Sequence, residues 1–286
     1  MSSLHINISR SGDPAALFSK ADAVKNRWPA YTYMVDWLTG LMVDVIDVER
    51  NLSVQELKFD DSDISRGRPL FHPENIPVDI DLAIKLFARL AAKVAAHQGG
   101  KGKGITGLFS ESDREARDTV RAVLKSDMKR IRAVCKPCNV DPQIVVLVLK
   151  LCLGPSLRHV AKEVSSKIVF KWKNGYCPVC GSSPGLGELT QENGTRRLHC
   201  SLCETSWPYP RMQCPFCENR DQKRLIYLYA YGEDGLRVDL CKKCGHGLKT
   251  IDLRHAPAPI IPLIDDLIIS HLIPFSSQAD QPLRCT

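Results

Sequence analysis

Through the first part of the chain, apolar residues recur at helical rather than alternating spacing. Between Val78 and His97, Leu82, Ile84, Leu86, Leu90 and Val94 stand among Ala, Lys and Arg, which predicts an amphipathic helix ending at Gly99-Gly100. A second helix is expected from Ser112 to Val134. Ser112 would be its N-cap, Asp113 and Glu115 lie in its first turn, and Lys129, Arg130 and Arg132 lie in its last, so charge matches the helix dipole at both ends. A third apolar stretch, Pro142 to Leu153, is expected to break at Gly154-Pro155, with Pro155 opening another helix through Val160, Val164 and Ile168. From Pro14 to about Lys173 there is almost no period-two pattern, and residues 1–174 read as an all-helical domain.

At Asn174-Gly175 the periodicity changes. Arg197 to His199 and Leu225 to Tyr231 read as strands, and Gly232-Glu-Asp-Gly235 reads as a turn into a third strand, Leu236 to Leu240. After Lys249 come a proline-punctuated linker, Ala256-Pro-Ala-Pro259 with Pro262, and a short helical segment from Leu263 to Leu272. The tail after Phe275 is expected to be disordered. The fold class expected is α plus small β: a helical domain over 1–174, then two tandem ribbon modules of the zinc-ribbon or rubredoxin kind over 175–212 and 213–250. Residues 251–286 supply linker, helix and tail.

Bulk properties narrow the class only a little. With 286 residues, 44% hydrophobic and 25% charged, the chain is long enough for two cores and has an ordinary soluble composition. The net charge of +7 permits an anionic partner, but Lys and Arg are scattered rather than blocked. The first ten residues, MSSLHINISR, lack the pattern of a secretory signal. The apolar run from Ile144 to Leu153 is too short to span a bilayer and contains Lys150. Ten of the twelve cysteines fall in five C-x-x-C pairs, which suits metal ligation in a reducing compartment, so a cytoplasmic protein without membrane insertion is expected.

Four of those pairs carry the chemistry: Cys177/Cys180, Cys200/Cys203, Cys214/Cys217 and Cys241/Cys244. Two intervening residues let one tight turn present both sulfurs to a single ion, so each pair is half a site. Nineteen residues separate the first pair from the second and twenty-three separate the third from the fourth, each near the length of a returning hairpin. The economical assignment is therefore two metal ions, one held by Cys177, Cys180, Cys200 and Cys203 and one by Cys214, Cys217, Cys241 and Cys244. Four thiolates suit zinc and iron alike and leave no open position for a hydrolytic water, so no catalytic residue is expected. Gly181 and Gly245 follow two of the knuckles where positive φ is often needed. Glu204 and Glu218 follow the other two, which must turn differently or carry strain.

Other features are weaker. Cys135-Lys-Pro-Cys138 has the form of a redox motif but follows a helix rather than a strand, and a helix end is the plainer reading. Cys152 reads as core. Gly99-Gly-Lys-Gly-Lys-Gly104 does not satisfy a phosphate-loop pattern. His199 and His246 flank knuckles that already have four sulfurs, so surface or supporting roles are expected. Tyr227, Tyr229 and Tyr231 near Arg224 and Arg237 suit base stacking, but packing of the ribbon is the reading preferred, as an interhelical core is for Trp28, Tyr31, Tyr33 and Trp37.

The cysteine-rich part resembles the formate dehydrogenase accessory proteins of the FdhE family in wording as well as spacing. Tyr176-Cys-Pro-Val-Cys-Gly-Ser-Ser-Pro184 looks like that family's first knuckle and Arg197-Leu-His-Cys-Ser-Leu-Cys-Glu-Thr205, with Trp207, like its second. Arg211, Cys214 to Cys217, Asp265-Asp266-Leu267 and Pro274-Phe275 continue the likeness over roughly Tyr176 to Phe275. The resemblance implies a cytoplasmic assembly factor that is not itself the dehydrogenase. It would carry iron in its rubredoxin-like sites and bind the immature catalytic subunit of formate dehydrogenase during maturation. The competing readings are a nucleic-acid-binding zinc-ribbon protein, the weaker expectation for partners, and an electron-transfer protein using rubredoxin-like iron.

Overall fold

A computed structural model describes residues 6–49, 52, 57, 62–98, 103–109, 114–167 and 172–272. The chain runs from a short strand β1 (Asn7–Ile8) into the helices α1 (Pro14–Arg27), α2 (Thr32–Glu49), α3 (Ser62–Ser65), α4 (Ile80–Gln98), α5 (Arg114–Leu124), α6 (Met128–Cys135) and α7 (Pro142–Lys167). Six strands follow: β2 (Pro184–Leu189), β3 (Arg196–Cys200), β4 (Thr205–Pro208), β5 (Leu225–Leu228), β6 (Leu236–Cys241) and β7 (Gly247–Asp252). The helix α8 (Pro262–Ile269) comes last. The expected class, helical first and small β second, is what the structure has.

Local chemistry explains most helix ends. Asp13 caps α1 by accepting from the N–H groups of Ala15 and Ala16, Pro14 fits the first turn, and Lys25 and Arg27 stand at the negative end. The helix expected from Ser112 to Val134 is two helices instead. Ser126 takes a left-handed φ of 56°, and the Asp127 carboxylate caps α6 by accepting from Arg130 N–H at 3.1 Å. A Ser-Asp pair offers the backbone such local bonds in place of helical ones, and here the local bonds prevail.

The break expected at Gly154-Pro155 is absent, because α7 continues through Pro155 to Lys167. A proline inside a helix costs about 3 kcal/mol. Against this, Val145, Val148, Leu149, Leu153 and Leu157 are all fully buried, and each contributes roughly 1.5–3 kcal/mol. From Pro142 to Ser165 α7 is long and apolar enough to cross a membrane, yet 67% of its most apolar window is buried inside the protein, as suits a core helix. The expectations for Gly99-Gly100, Ser112, Asp113, Ile168, Pro274-Phe275 and the tail lie outside the described residues.

All seven strands form one sheet in the order β1-β4-β3-β2-β7-β6-β5. Neighbours are antiparallel except β2 and β7, which run parallel with Gly187 opposite Thr250 and Leu189 opposite Asp252, so that pair joins the two cysteine-rich hairpins edge to edge. Sequence reading missed β1, which puts a strand into the stretch expected to be all-helical, and also β2, β4 and β7, whose short, Gly- and Pro-containing segments carry little alternation. The strand expected over Leu225 to Tyr231 stops at Leu228.

Two apolar cores result, and each draws on both halves of the chain. One unites Leu90 and Val94 of α4 and Leu149 and Leu157 of α7 with Leu198, Trp207, Cys177, Cys180, Cys200 and Cys203. The other packs Leu17 of α1 and Ile46 of α2 against Leu186, Val238, Ile251 and the Ile264–Ile268 face of α8. Of the four aromatics expected between helices, Trp28, Tyr31 and Trp37 pack on these cores. Tyr33 is 69% exposed, its ring stacked on His97.

Inside the second core Lys20 meets Asp265 at 2.6 Å, both side chains fully buried. Lys20 also donates to the Pro257 carbonyl, and Asp265 accepts from Ile261 N–H at the start of α8. Burial raises the Asp265 carboxyl above its ordinary range, with Lys20 opposing. Lys20→Met strands that carboxylate and is expected to cost roughly 3–5 kcal/mol in denaturant unfolding, whereas Lys20→Met with Asp265→Leu should recover most of the loss.

Candidate metal centres

Three of the four metal-site knuckles are tight turns closed by their own backbone. Gly181 N–H donates to the Cys177 carbonyl at 2.9 Å and Cys177 N–H to that of Ser182. The bonds of Glu218 and Cys214, with Asn219, and of Gly245 and Cys241, with His246, repeat this pattern. The turn needs a left-handed residue after its second cysteine, supplied by Gly181 at φ 72° and Gly245 at φ 76°. Glu204 at φ 57° and Glu218 at φ 58° adopt the same conformation, so those two knuckles turn alike and the strain alternative applies. A non-glycine residue there costs roughly 1–3 kcal/mol.

The eight sulfurs gather in two groups, Cys177, Cys180, Cys200 and Cys203 in one and Cys214, Cys217, Cys241 and Cys244 in the other. In the first, Cys177 and Cys203 stand 3.5 Å apart, Cys180 and Cys200 3.4 Å, and Cys180 and Cys203 3.6 Å. In the second, Cys214 and Cys244, like Cys217 and Cys241, stand 3.7 Å apart. A disulfide needs about 2.05 Å. A tetrahedron with metal–sulfur bonds of about 2.3 Å has edges of about 3.8 Å, so both groups fit one ion each, and soft sulfur donors suit zinc and iron.

The two environments differ. The first quartet is wholly buried, and the second leaves Cys217 and Cys244 half-exposed. Backbone N–H groups of Leu202 and Cys203 point at the Cys200 sulfur. Burial favours the protonated thiols of Cys177 and Cys203, raising both well above their ordinary value, while hydrogen bonds from Cys177, Cys200 and Cys203 lower Cys180. Burial also raises Cys214 and lifts Cys244 to about 11. A divalent ion bound there would displace those protons and balance the thiolates.

The first quartet is moored to the helices. Leu70 and Phe71 donate backbone N–H groups to the Pro178 and Val179 carbonyls inside the first knuckle, at 3.0 and 2.8 Å. Glu204 receives Arg158 at 3.3 Å and Ser9 Oγ, and the same buried guanidinium grips Glu49 of α2 at 2.6 Å. Gly154 makes room for this, since a Cβ there would meet Arg158 Nη1 at 2.8 Å. Sequence reading missed Arg158 as a functional residue, for its partners lie 46 and 109 positions away. The signal available was a glutamate where the turn asks for glycine. Arg196, also buried, donates to the Arg211 and Gln213 carbonyls and so ties β3 to the second hairpin.

The remaining candidates fall elsewhere. Cys135 closes α6, its thiol raised to about 11 by burial, with Cys138 half-buried near it, and Cys152 is core. His199 is buried and bonded to Glu188 at 2.7 Å, and His246 stacks on Phe216. Packing does not hold for the whole tyrosine run: Arg237 lies 4.4 Å over the Tyr227 ring, but Tyr229 is 73% exposed and Tyr231 fully so.

Glu204 and Glu218 share a backbone conformation but not a task, because the Glu218 side chain has no hydrogen bond or ion pair among the described residues. Glu218→Gly should therefore stabilise the protein by about 1 kcal/mol. Glu204→Gly should destabilise it by ~2 kcal/mol despite the same relief, through the loss of a charged bond to Arg158. Parallel denaturant titrations of the two variants check both signs.

Residues 176–211, which contain the first quartet, match the FdhE central domain. A protein FdhE homolog from Aquifex aeolicus is 34% identical over 113 residues, 37% of this chain and 40% of that protein. Protein FdhE of Escherichia coli O1:K1 is 26% identical over 208 residues, 71% of this chain and 63% of that protein. The matched stretches thus span less than two thirds of either relative. The crystal structure of the FdhE protein from Pseudomonas aeruginosa shares the fold, with a TM-score of 0.66 at 20% identity over 99% of this chain and 97% of that one. That domain, those relatives and that crystal structure are all FdhE proteins, and the chain is similar to them in its cysteine-rich sequence and in its fold.

Proposed function

We propose that this chain is a metal-binding accessory protein for the maturation of formate dehydrogenase, and that it docks on the immature catalytic subunit of that enzyme. In this reading Cys177, Cys180, Cys200 and Cys203 hold one ion and Cys214, Cys217, Cys241 and Cys244 a second, iron by resemblance to the family or zinc by the same donor set. The observation that carries the reading is the pair of sulfur quartets at tetrahedral spacing, the first within the matched domain and sunk into the helical core. Bound metal would fix the shape of the knuckles and thereby the shape of a docking surface. A closed set of four sulfurs suits holding better than catalysis.

The test is elemental analysis and an absorption spectrum after anaerobic purification, followed by capture of the catalytic subunit from the native host. The expected result is about two metal ions per chain and capture of the subunit, with Cys177→Ser and Cys180→Ser together lowering the content to about one and abolishing capture. Unchanged metal content and unchanged capture would remove the proposal.

The exposure of Tyr229 and Tyr231 just after β5, where Arg237 lies over the Tyr227 ring, favours a second reading, single-stranded nucleic-acid binding through base stacking. That reading requires a gel shift at low salt which fades steeply as salt rises and is lost in Tyr229→Ala with Tyr231→Ala. Absence of any shift at low salt removes it.

A further inference from the structure

A cleft of about 360 Å³ opens where α2, α7, the turn after β3 and the start of α8 converge. Met42, Val146, Leu147 and Leu263 make much of its wall apolar. Most of its charged groups are already matched. Arg158 is held by Glu49 and Glu204, and Asp266 by Lys249 at 2.6 Å. Two polar side chains are not. Among the described residues Lys150, in the first half of α7, has the Ser201 carbonyl at 3.3 Å as its sole hydrogen-bond partner and no carboxylate within ion-pair distance. His199 is only 4% exposed. Its Nε2 is committed to Glu188, and its Nδ1 is buried without a partner.

A half-buried ammonium that spends one of its three donors on a carbonyl has two left for an anion in the cleft. Burial accordingly lowers the Lys150 amine below its ordinary value. The volume sits at the small end of ligand pockets, and a mostly apolar wall with a few convergent polar groups is their usual make-up. We infer that this cleft binds an organic carboxylate with a short apolar body: the carboxylate on Lys150 beside His199, the body on Met42, Val146, Leu147 and Leu263. The same chemistry is offered by a free small acid and by an acidic side chain within an apolar peptide. The site is separate from the sulfur quartets, although Cys200 forms part of its wall, and it does not depend on which enzyme the protein serves.

The experiment uses the full metal-loaded chain in calorimetric titrations with hexanoate, hexan-1-ol, hexylamine and the blocked peptide acetyl-Leu-Asp-Leu-amide. Hexanoate, the peptide or both should bind, while the alcohol and the amine bind at least about tenfold more weakly, the loss of one charge-assisted contact. Binding of hexanoate alone assigns a free acid, and binding of the peptide alone assigns a protein segment. Lys150→Met should weaken binding at least about tenfold with metal content and circular dichroism unchanged. Val146→Trp, which fills the cleft from one turn earlier on the same helix, should abolish it; should Lys150→Met fail to fold, this variant carries the test. The proposal is overturned if neither acid binds, if hexan-1-ol binds as well as hexanoate, or if either well-folded variant binds normally. It is overturned equally if wild type binds nothing while Lys150→Met loses metal from the first quartet, since Lys150 would then serve only to offset the thiolate charge.

Discussion

Four sulfurs within 3.7 Å of a neighbour, enclosed by apolar side chains, cannot all carry charge unless a cation stands among them. That requirement organises the molecule. It demands left-handed turns after each knuckle, backbone N–H groups aimed at sulfur, and a sheet that returns each second pair beside its first. The first quartet shares its core with α4 and α7, so the same requirement reaches into the helical half. A ribbon that size would have little apolar surface of its own to bury, and here it borrows a wall from the helices.

Two buried charge assemblies hold the halves in register. Arg158 joins α7 to α2 and to the turn that follows Cys203, and Lys20 joins α1 to α8. Neither is a cheap source of stability, since removing charge from water offsets much of the attraction. Each instead favours one arrangement over near alternatives, because a shifted packing would leave an ion without its partner. The parallel contact of β2 with β7 and the carbonyl grip of Arg196 do similar work between the hairpins.

The helical half is legible in the sequence where one face decides the outcome, as in α4, whose Leu86, Leu90 and Val94 all become buried. It is illegible where distant packing overrides a local signal. Pro155 announces a stop that five buried neighbours in α7 outweigh, and Ser126-Asp127 breaks a periodic run by bonding to its own backbone. In the cysteine-rich half, spacing alone suffices to suggest how the knuckles group. The strands between them are hidden, because Pro184–Leu189 and Thr205–Pro208 become strands only through partners supplied by other segments. The Arg158 contacts and the Lys150 cleft are hidden for the same reason: they are made by residues far apart in the chain.

The span of the Lys20–Asp265 pair has a bearing on how the protein is made. The amphipathic faces of α1 and α2 leave the ribosome early, yet the core they belong to is closed by α8, some 240 residues later. β1, similarly, waits for β4. Neither core can be finished by the first half alone, so the nascent chain carries open apolar surface through most of its synthesis. A chain of this build passes through a long unguarded stage, and the four sulfurs of the first quartet come together only after Cys203 has been made.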